Sequence, residues 1–476
     1  MLKLLDSYSK KKRVFKPLKK GEVTMYNCGP TVYGNVHIGN LRAFLFADLL
    51  RRHLEQSGLA VTQVMNITDV GHMLADADEG EDKLDVAAKK EGKTPQEVAE
   101  HYTKLFFRDI DRLNIRRAQV YPKASEHVEE MIKMIARLLE RGHAYKVKHD
   151  DGYSIYFDVS TFADYGKLSG NKIEMLNPGA RIEVRDEKRN PADFALWIHN
   201  PQHVLQWEAP WGKGYPGWHI ECSAMAVKYL GKTIDIHTGG EDNKFPHHEC
   251  EIAQSECSNG EEFARNWLHV THLMVEGEKM SKSKGNVLTL DELLQRGFEA
   301  REVRYLLMSS HYRQTLNFTE HGLESARSAL DRLDTFADTL ARYAPKKKGR
   351  GAGHATEALK NFLVSLDDDL NIAEALAKLF DFVKAANERI AKEEMTGAEK
   401  TGAEKLIQQI GKILGFTFGR SLDDSDIPAS VRTLLERREQ ARKDRSFTEA
   451  DRIRGELLEK GFEIEDTSDG PVIKRK

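Results

Sequence analysis

The sequence predicts an α/β protein with a parallel sheet, followed by a long helical region. Strand-like apolar segments at 22–28 and 61–67 flank a segment at 41–54 whose apolar residues recur at helical spacing. A strand, a helix and a second strand at this spacing form a βαβ unit, in which the two strands are parallel. A further strand-like segment at 234–237 indicates that the sheet resumes later, and beyond about residue 320 long amphipathic patterns take over.

Length and composition narrow the classes of protein to which the chain can belong. A chain of 476 residues is too long for one hydrophobic core, so several domains are expected. Four cysteines argue against a disulfide scaffold, and residues 1–20 lack the apolar stretch of a secretory signal, so we expect a cytoplasmic protein. No apolar run is long enough to cross a membrane. The formal net charge of −3 excludes a generally basic nucleic-acid binder, so any RNA contact must use local basic patches.

The middle of the chain interrupts the sheet domain. Residues 94–141 have a helical pattern, whereas glycine, proline, aspartate and aromatic residues dominate 142–217. Strand-like pieces such as 153–157 occur within this second stretch. We therefore expect an inserted α+β subdomain, after which the sheet resumes.

The last third of the chain is predicted to be mainly helical. Amphipathic helices are expected at 323–343, within 356–414 and at 429–460, and two short strands close the chain at 462–474. The pentapeptide Thr-Gly-Ala-Glu-Lys occurs twice at 396–405. We interpret this repeat as a local duplication in a surface loop.

The segment His37-Ile38-Gly39-Asn40 opens the first predicted helix directly after a turn rich in glycine and proline. A helix start of this kind presents backbone N–H groups and a positive dipole to an anion. His37 is placed to donate a hydrogen bond to a phosphate oxygen. The alternative is an ordinary turn and helix cap with a histidine that only packs.

The segment Lys279-Met280-Ser281-Lys282-Ser283 has two lysines three positions apart among small hydroxyl residues. It suits a mobile loop that closes on a polyphosphate and neutralises the charge that develops as pyrophosphate leaves. The alternative is a solvated basic loop. Asp242, in Gly239-Gly240-Glu241-Asp242, follows a strand end, where a carboxylate commonly binds a ribose hydroxyl; a plain β-turn is the alternative.

Cysteine, histidine and glutamate residues suggest a metal site. His247 and Glu251 lie four positions apart behind Pro246 and would project from one face of a helix. With Cys28 and Cys222 they would supply two thiolates, one imidazole and one carboxylate, a set that suits tetrahedral zinc. His248 and Cys250 are competing ligands, and buried cysteines acting as small apolar residues are the alternative.

Together these segments closely resemble the cysteinyl-tRNA synthetases, a family of class I aminoacyl-tRNA synthetases. The resemblance runs through nearly the whole chain, and its ordered series of motifs is highly specific. It is carried by residues 26–33 and 37–39, 66–70, 188–197, 216–225, 245–249, 279–283, 441–444 and 450–454.

The resemblance implies ATP-dependent ligation of L-cysteine to tRNA(Cys), with Mg²⁺ accompanying ATP. It implies one Zn²⁺ per chain, held by Cys28, Cys222, His247 and Glu251, that takes the thiolate of the substrate. Thr68 and Trp218 would line the cysteine pocket. Catalysis would fall to His37, Asn40, Lys279 and Lys282, and ATP binding to Gly39, Asp242 and Lys282. We expect no membrane partner. We also expect a monomer, since no heptad pattern or obvious apolar face indicates a dimer.

The resemblance also implies an order of domains along the chain. The expected architecture is a class I synthetase Rossmann-like parallel sheet with an inserted α+β subdomain, followed by a helical bundle and a small C-terminal α/β domain on the anticodon side. The expected boundaries are 1–120 and 217–265 for the two halves of the catalytic domain, 121–216 for the inserted connective subdomain, 266–325 for the stem-contact region with the Lys-Met-Ser-Lys-Ser loop, 326–416 for the bundle and 417–476 for the anticodon-recognition domain.

Three positions depart from the family pattern. Asn40 stands where many class I synthetases have a second histidine, but it can still donate a hydrogen bond. Cys250 stands where the family often has asparagine, and on a helix it would point about 100° away from its neighbour, so we predict that it is not a ligand. Gly71-His72 replaces a more acidic segment, and nothing in the sequence explains that change.

Other functions stay open on the sequence alone. The nearest alternative is an adenylate-forming ligase of the mycothiol type, which joins cysteine to an amino sugar and should lack the anticodon-binding end. A catalytically idle RNA-binding paralogue and a zinc hydrolase are further alternatives. The residues that could meet RNA phosphates, unless they form a solvated charged surface, are Lys346, Lys347, Lys348, Arg442, Lys443 and Arg445.

Overall fold

The chain divides into two compact units, seen here in a computed structural model. The described residues are 1–70, 82–171, 187–201, 203–280, 285–349, 351–419, 428–467 and 470–475. The first unit comprises Met1–Glu324, Phe362–Leu376 and Ile413–Gly415, and the second comprises Ser325–Asn361, Ala377–Lys412 and Phe416–Lys476.

Strands occur mainly in the first unit, and long helices are concentrated in the last third of the chain. The strands are β1 Lys3–Asp6, β2 Lys11–Val14, β3 Glu22–Asn27, β4 Ala60–Met65, β5 Ala144–Lys148, β6 Tyr153–Phe157, β7 Phe194–Ile198, β8 Tyr215–Pro216, β9 Ile234–Gly240, β10 Ala264–Val270, β11 Leu273–Val275, β12 Glu278–Lys279, β13 Leu316–Phe318, β14 Phe462–Thr467 and β15 Gly470–Arg475. The α-helices are α1 Ile38–Gln56, α2 Lys83–Glu91, α3 Pro95–Arg112, α4 Val128–Glu140, α5 Trp218–Leu230, α6 His247–Asn259, α7 Leu290–Gln295, α8 Ala300–Met308, α9 Glu320–Arg342, α10 His354–Asp367, α11 Ile372–Ala391, α12 Gly397–Leu414, α13 Ala429–Lys443 and α14 Phe447–Glu459. None of the described helices is both long and apolar enough to cross a lipid bilayer.

A four-stranded parallel sheet forms the centre of the first unit. Its strand order is β10-β9-β3-β4, so the sheet begins with the βαβ unit of β3, α1 and β4 and resumes with β9 after the insertion. Nearly every residue of β9 and β10 is buried, as expected for parallel strands covered on both faces. The predicted α/β fold class is confirmed.

The inserted subdomain contains an antiparallel sheet. Strands β5, β6, β7 and β8 pair in that order, and the rings of Phe157 and Phe194 stack with centroids 4.9 Å apart in its core. The helical pattern predicted for residues 94–141 is interrupted. Between α3 and α4 the chain instead runs beside β4, where the Met65 N–H donates to the Val120 carbonyl at 3.1 Å. Pairing with a sheet edge has overridden the local helical preference there.

The duplicated pentapeptide is not in a surface loop, so that interpretation was wrong. Both copies lie at the start of α12. Thr396 and Glu399 of the first copy form a capping box, because each side chain accepts a hydrogen bond from the backbone N–H of the other. The alanine, glutamate and lysine that follow are strong helix formers, so the repeat starts a helix.

The C-terminal segment has a small core of its own. The predicted helix at 429–460 is divided into α13 and α14 by a break at Arg445, whose φ is 58°. The predicted closing strands form the antiparallel pair β14–β15. The core residues are Val431, Leu434, Ile453, Leu457, Phe462, Ile464 and Ile473.

A buried ion cluster ties the first unit together. The carboxylate of Asp48 on α1 lies 2.9 Å from Arg52 Nε and 2.7 Å from Arg304 Nη2, and its side chain is fully buried. Arg304, on α8, also donates to the carbonyls of Leu113 and Leu414. Gly415 makes room for this guanidinium, since a Cβ there would lie 2.2 Å from Arg304 Nη2.

We predict that Asp48→Asn lowers the stability of the first unit by about 3–5 kcal/mol, because it leaves two buried arginines facing each other without their carboxylate. Urea denaturation followed by circular dichroism measures this loss. The matched control is Asp111→Asn, which breaks the exposed pair with Arg117 and should cost at most about 1 kcal/mol. Equal losses in the two variants would contradict the structural role of the cluster.

Candidate active site and metal centre

A cavity of about 370 Å³ opens at the carboxyl edge of the parallel sheet. The strands end in register there, because Asn27 of β3 lies opposite both Met65 of β4 and Thr238 of β9. In open α/β sheets this edge is where ligands bind. The lining residues at the strand ends include Cys28 after β3, Asn66 and Thr68 after β4, residues 240–243 at the end of β9 and residues 270–273 at the end of β10.

The cavity brings together site residues that the sequence predicted from distant motifs. Glu251 is fully buried beside it. Lys282 and its neighbours 281, 283 and 284 lie outside the described residues, and so does Gly71-His72. The predicted residues that line the cavity are Cys28, His37, Gly39, Asn40, Thr68, Trp218, Cys222, Asp242, His247 and Lys279.

The floor of the cavity is held by Asn66. Its side-chain oxygen accepts a hydrogen bond from the Gly29 N–H at 2.8 Å, and its amide nitrogen donates to Thr68 Oγ1 at 3.0 Å. Gly29 must lack a side chain, because a Cβ there would lie 1.8 Å from the Asn66 carbonyl oxygen. Asn66 therefore fixes both the turn after β3 and the hydroxyl of Thr68.

His37 and Asn40 form a capping box at the start of α1. The Asn40 N–H donates to His37 Nδ1 at 3.3 Å, and the His37 N–H donates to Asn40 Oδ1 at 3.1 Å. Because Nδ1 accepts, the proton of a neutral His37 ring lies on Nε2, which is then the donor atom of the ring. Asn40, the third residue of α1, thus contributes its side chain to the helix cap. The sequence did not suggest this role.

The backbone N–H groups at this helix start are partly used inside the protein. The Ile38 N–H donates to the Leu288 carbonyl at 3.0 Å, and the Asn40 N–H is taken by His37. Side chains must therefore provide more of any phosphate contact than a bare helix end would suggest. The Leu288 contact also joins the start of α1 to the chain that follows the lysine-rich loop.

The lysine-rich segment reaches the start of α1 through Met280. A Cβ on Gly39 would lie 3.0 Å from both Met280 Cε and His37 Nδ1, so glycine allows this close approach without displacing either neighbour. Lys279, at the end of β12, lines the cavity on the same side. Lys279 and Met280, the described part of the second motif, therefore lie at the same end of the cavity as the first motif.

Asp242 is presented at the rim of the cavity by a 3₁₀ turn, Glu241–Lys244, that follows β9. The side chain of Asn243 accepts from the Gly240 N–H at 3.0 Å and so closes the turn. The carboxylate of Asp242 is exposed at the rim. This is the position expected for a group that contacts a ribose.

The other end of the cavity has a group of side chains that could hold a metal ion. Ligand atoms of Cys28, Cys222, His247 and Glu251 all lie within 4.8 Å of one another. Cys28 follows β3, Cys222 is on α5, and His247 and Glu251 are one turn apart on α6, with His247 Nε2 3.1 Å from Glu251 Oε1. Three of the four line the cavity, so an ion there could keep a coordination position open to a ligand.

Electrostatic interactions hold Glu251, His247 and Cys222 in their charged forms near neutral pH, whereas burial raises the pKa of the Cys28 thiol. Burial by itself would raise the pKa of Glu251, but His237 and His247 lower it to about 2. Burial by itself would lower the pKa of His247, but Cys222 and Glu251 raise it to about 10. Hydrogen bonding by Cys28 lowers the pKa of the Cys222 thiol to about 6 against the effect of burial. A cation that bound here would take the place of the His247 proton.

Histidines surround this group, and the sequence pattern identified only one of them, His248. His237 Nε2 lies 3.0 Å from Glu251 Oε2, and His219 Nδ1 lies 2.9 Å from His247 Nδ1. His248 contacts Cys28 Sγ at 3.1 Å. Such partners orient metal ligands. No local periodicity marks these histidines, since each comes from a different element.

A second group of possible ligands overlaps the first. Cys28 and Glu251 combine there with His237 and His248, so His248 remains a competing ligand, as the sequence suggested. The two groups share two ligands, and one ion cannot satisfy both. In the second group only Cys28 lines the cavity, whereas in the first group Cys28, Cys222 and His247 do. The first group therefore suits an ion that must also contact a substrate.

Cys250 and Trp218 both lie near the metal group, but of the two only Trp218 lines the cavity. Cys250 belongs to neither group of possible ligands. Its side chain is fully buried, and Sγ lies 3.4 Å from Tyr165 Oη. Trp218, in contrast, closes the cavity beside the metal group, with its ring 4.5 Å from that of His247 between centroids.

The fold is that of a class I aminoacyl-tRNA synthetase. Residues 14–328 match the family model described as the tRNA synthetases class I (C) catalytic domain. A methionyl-tRNA synthetase of Mycobacterium tuberculosis, solved in complex with methionyl-adenylate, has the same fold with a TM-score of 0.61. That alignment covers 83% of this chain and 92% of the other at 13% identity, so it supports the fold alone.

The relatives narrow the class to one family. The chain is 42% identical to the cysteine–tRNA ligase of Chlorobaculum tepidum, over all of this chain and 99% of that protein. It is 44% identical to a cysteine–tRNA ligase of Thermus thermophilus, over 99% and 98% of the two chains. Residues 361–419 match a DALR domain, and residues 424–470 match the cysteinyl-tRNA ligase anticodon binding domain. The chain belongs to the cysteinyl-tRNA synthetase family.

We predict that the purified protein carries one metal ion per chain and that Cys222→Ala lowers this content to a small fraction, because the site loses a thiolate. Elemental mass spectrometry of the protein measures it, with circular dichroism to show that the variant is folded. Cys250→Ala is the matched control, since Cys250 is equally buried but lies outside both ligand groups. Loss of metal from the control, or its full retention in Cys222→Ala, would contradict the assignment.

Proposed function

We propose that the protein joins L-cysteine to tRNA(Cys) by way of cysteinyl-adenylate. The observation that carries the proposal is the composition of the cavity. Cysteine, histidine and glutamate side chains that could hold a metal ion lie at one end, and His37, Asn40 and Lys279 line the other end. A substrate that offers a thiol and a carboxylate a few bonds apart fits between them.

The cysteine end of the cavity suits one Zn²⁺ per chain. Two thiolates, an imidazole and a carboxylate are ligands that Zn²⁺ accepts in a tetrahedral site. By expanding to five-coordination, a bound Zn²⁺ would admit one further ligand, which a thiolate supplies well and the hydroxyl of serine supplies poorly. Trp218 and Thr68 would orient the rest of the amino acid, because both line the wall beside the ligands. Shape alone separates such close analogues only modestly, which makes ligand chemistry the stronger filter.

The nucleotide end would bind ATP with Mg²⁺. A carboxylate oxygen of cysteine attacks the α-phosphorus, a P–O bond forms, and the bond to the bridging oxygen breaks to release pyrophosphate. His37, Asn40, Lys279 and Lys282 would stabilise the charge on the phosphates, and Gly39 lets the nucleotide approach α1 closely. Asp242 would accept hydrogen bonds from the ribose hydroxyls.

The second step would use the terminal ribose of tRNA. Its hydroxyl attacks the carbonyl carbon of the adenylate, and AMP leaves with the electron pair of the anhydride bond. The matches to the DALR and anticodon binding domains support tRNA as the acceptor and speak against an amino sugar. We further propose a monomer that acts in the cytoplasm, where the four free cysteines would stay reduced.

The basic residues proposed for RNA contact differ in their surroundings. Lys346 is paired with Glu393 at 2.7 Å, and Arg442 is paired with Asp466 at 2.5 Å. Exposed pairs of this kind are weak, so both cations could be redirected to phosphates. The remaining candidates, all exposed, are Lys347, Lys348, Lys443 and Arg445.

The proposed function predicts that the protein transfers labelled cysteine to unfractionated tRNA in the presence of ATP and Mg²⁺. The acid-precipitable label should disappear on ribonuclease treatment. Serine in place of cysteine should give no measurable transfer. Cysteine-dependent ATP–pyrophosphate exchange without transfer to tRNA would indicate that the acceptor is a small amine. The absence of both signals would overturn the adenylate proposal.

For the nucleotide end, we predict that His37→Asn lowers kcat for ATP–pyrophosphate exchange about 100-fold, because it removes the Nε2 donor. Asparagine can still cap α1, so the melting temperature and metal content should match those of the wild type. His37→Ala removes the donor and the cap together and should lose about 1 kcal/mol of stability as well. A normal exchange rate in His37→Asn would show that the imidazole does not act on ATP.

A further inference from the structure

Arg42 differs from the other buried arginines of the first unit because its partners are neutral. It lies on α1 just after the cap formed by His37 and Asn40, and only 3% of its surface is exposed. Burial lowers its pKa to about 10, so it stays charged near neutral pH. Its guanidinium donates to the carbonyl oxygens of Thr271 at 2.6 Å, His272 at 3.3 Å, His311 at 3.3 Å and Gln314 at 2.7 Å, and to Ser310 Oγ at 3.1 Å.

These acceptors belong to two separate segments. Thr271 and His272 follow β10 and line the cavity, whereas residues 310–314 lead from α8 to β13. The two segments also meet directly, since the Thr271 N–H donates to the Tyr312 carbonyl at 2.9 Å. A guanidinium presents five N–H groups in one rigid plane, so it can hold both segments against α1 at once.

A comparison with Arg52 and Arg304 shows that the surroundings of Arg42 are unusual. Both of those arginines share the carboxylate of Asp48, which compensates their charge. Within the described residues, no carboxylate forms an ion pair with Arg42. A buried cation held only by carbonyl dipoles is costly, because no carboxylate compensates its charge. The bonding pattern therefore suggests a task beyond packing.

The wall that Arg42 holds belongs to the nucleotide end of the cavity. Thr271, His272 and Leu273 line the cavity at the end of β10, next to the turn after β9 that carries Asp242. His272 Nδ1 lies 3.6 Å from Glu241 Oε2, which joins the ends of β9 and β10 at the rim. A shift of this wall would change the width of the space between it and His37.

We propose that Arg42 is a positioning residue for the nucleotide. It fixes the wall at residues 271–273 relative to α1 and thereby sets the affinity for ATP, without touching ATP itself. The inference rests on the proposed function, because it takes the space between this wall and the His37 motif as the ATP subsite.

The test uses Arg42→Lys and Arg42→Met in cysteine-dependent ATP–pyrophosphate exchange. Lysine keeps the charge but has a single donor atom, so it cannot span both segments. We expect the KM for ATP to rise at least about fivefold in both variants, while the KM for cysteine and the metal content stay within about twofold of wild type. The matched control is Arg52→Lys, on the same helix and similarly buried, which should lower the melting temperature without changing the ratio of the two KM values.

The outcomes separate this inference from the proposed function. Wild-type protein without exchange would overturn the proposed function itself. With exchange present, an unchanged KM for ATP would overturn the role of Arg42, and so would an equal rise in both KM values. Full rescue by lysine would also overturn it, because charge rather than the planar fork would then suffice. If both Arg42 variants fail to fold, Ser310→Ala removes one acceptor and should raise the KM for ATP about twofold; no rise would contradict the inference.

Discussion

The parallel pairing of β10, β9, β3 and β4 is the constraint on which the site depends. Parallel strands must all end at the same edge, so the residues that follow them are neighbours however far apart they lie in the chain. The Cys28 N–H donates to the Thr238 carbonyl at 3.1 Å, and the Thr68 N–H donates to the Pro30 carbonyl at 3.0 Å. These bonds extend the alignment of the strands to the residues that line the cavity.

Two helices, α6 and α1, then add side chains to the cavity at this edge. α6 provides His247 and Glu251 from one face. Both side chains are buried, so each charge is stabilised by the opposite charge of the other. This mutual attraction contributes to both the low pKa of Glu251 and the high pKa of His247. α1 begins at the other end with its capping box. Its first turn contacts Leu288 and Met280, and Lys279 and Met280 line the same cavity.

The nature of the partners distinguishes the buried charges of this protein. Asp48 lies among arginines in the interior and serves the fold, whereas Glu251 lies among histidines and cysteines next to a cavity. Arg42 belongs to neither kind, because its charge is surrounded by backbone carbonyls and one hydroxyl. Charges that are expensive to bury and poorly compensated occur mainly where a site must be held in place.

The sequence by itself determined the βαβ unit, the helical last third, the pairing of His247 with Glu251 on one helical face and, through the resemblance, the family. These features follow from local periodicity and from motifs that are contiguous in the chain. Only the tertiary structure brought Cys28 close to Cys222, as the resemblance had implied, placed His237 beside Glu251 and His219 beside His247, and showed that Arg42 ties two loops to α1. It also replaced the expected loop at 396–405 with a helix start and broke the helical pattern between α3 and α4. These contacts depend on pairing between distant segments. No local pattern in the sequence shows which of those segments will be neighbours at the edge of the sheet.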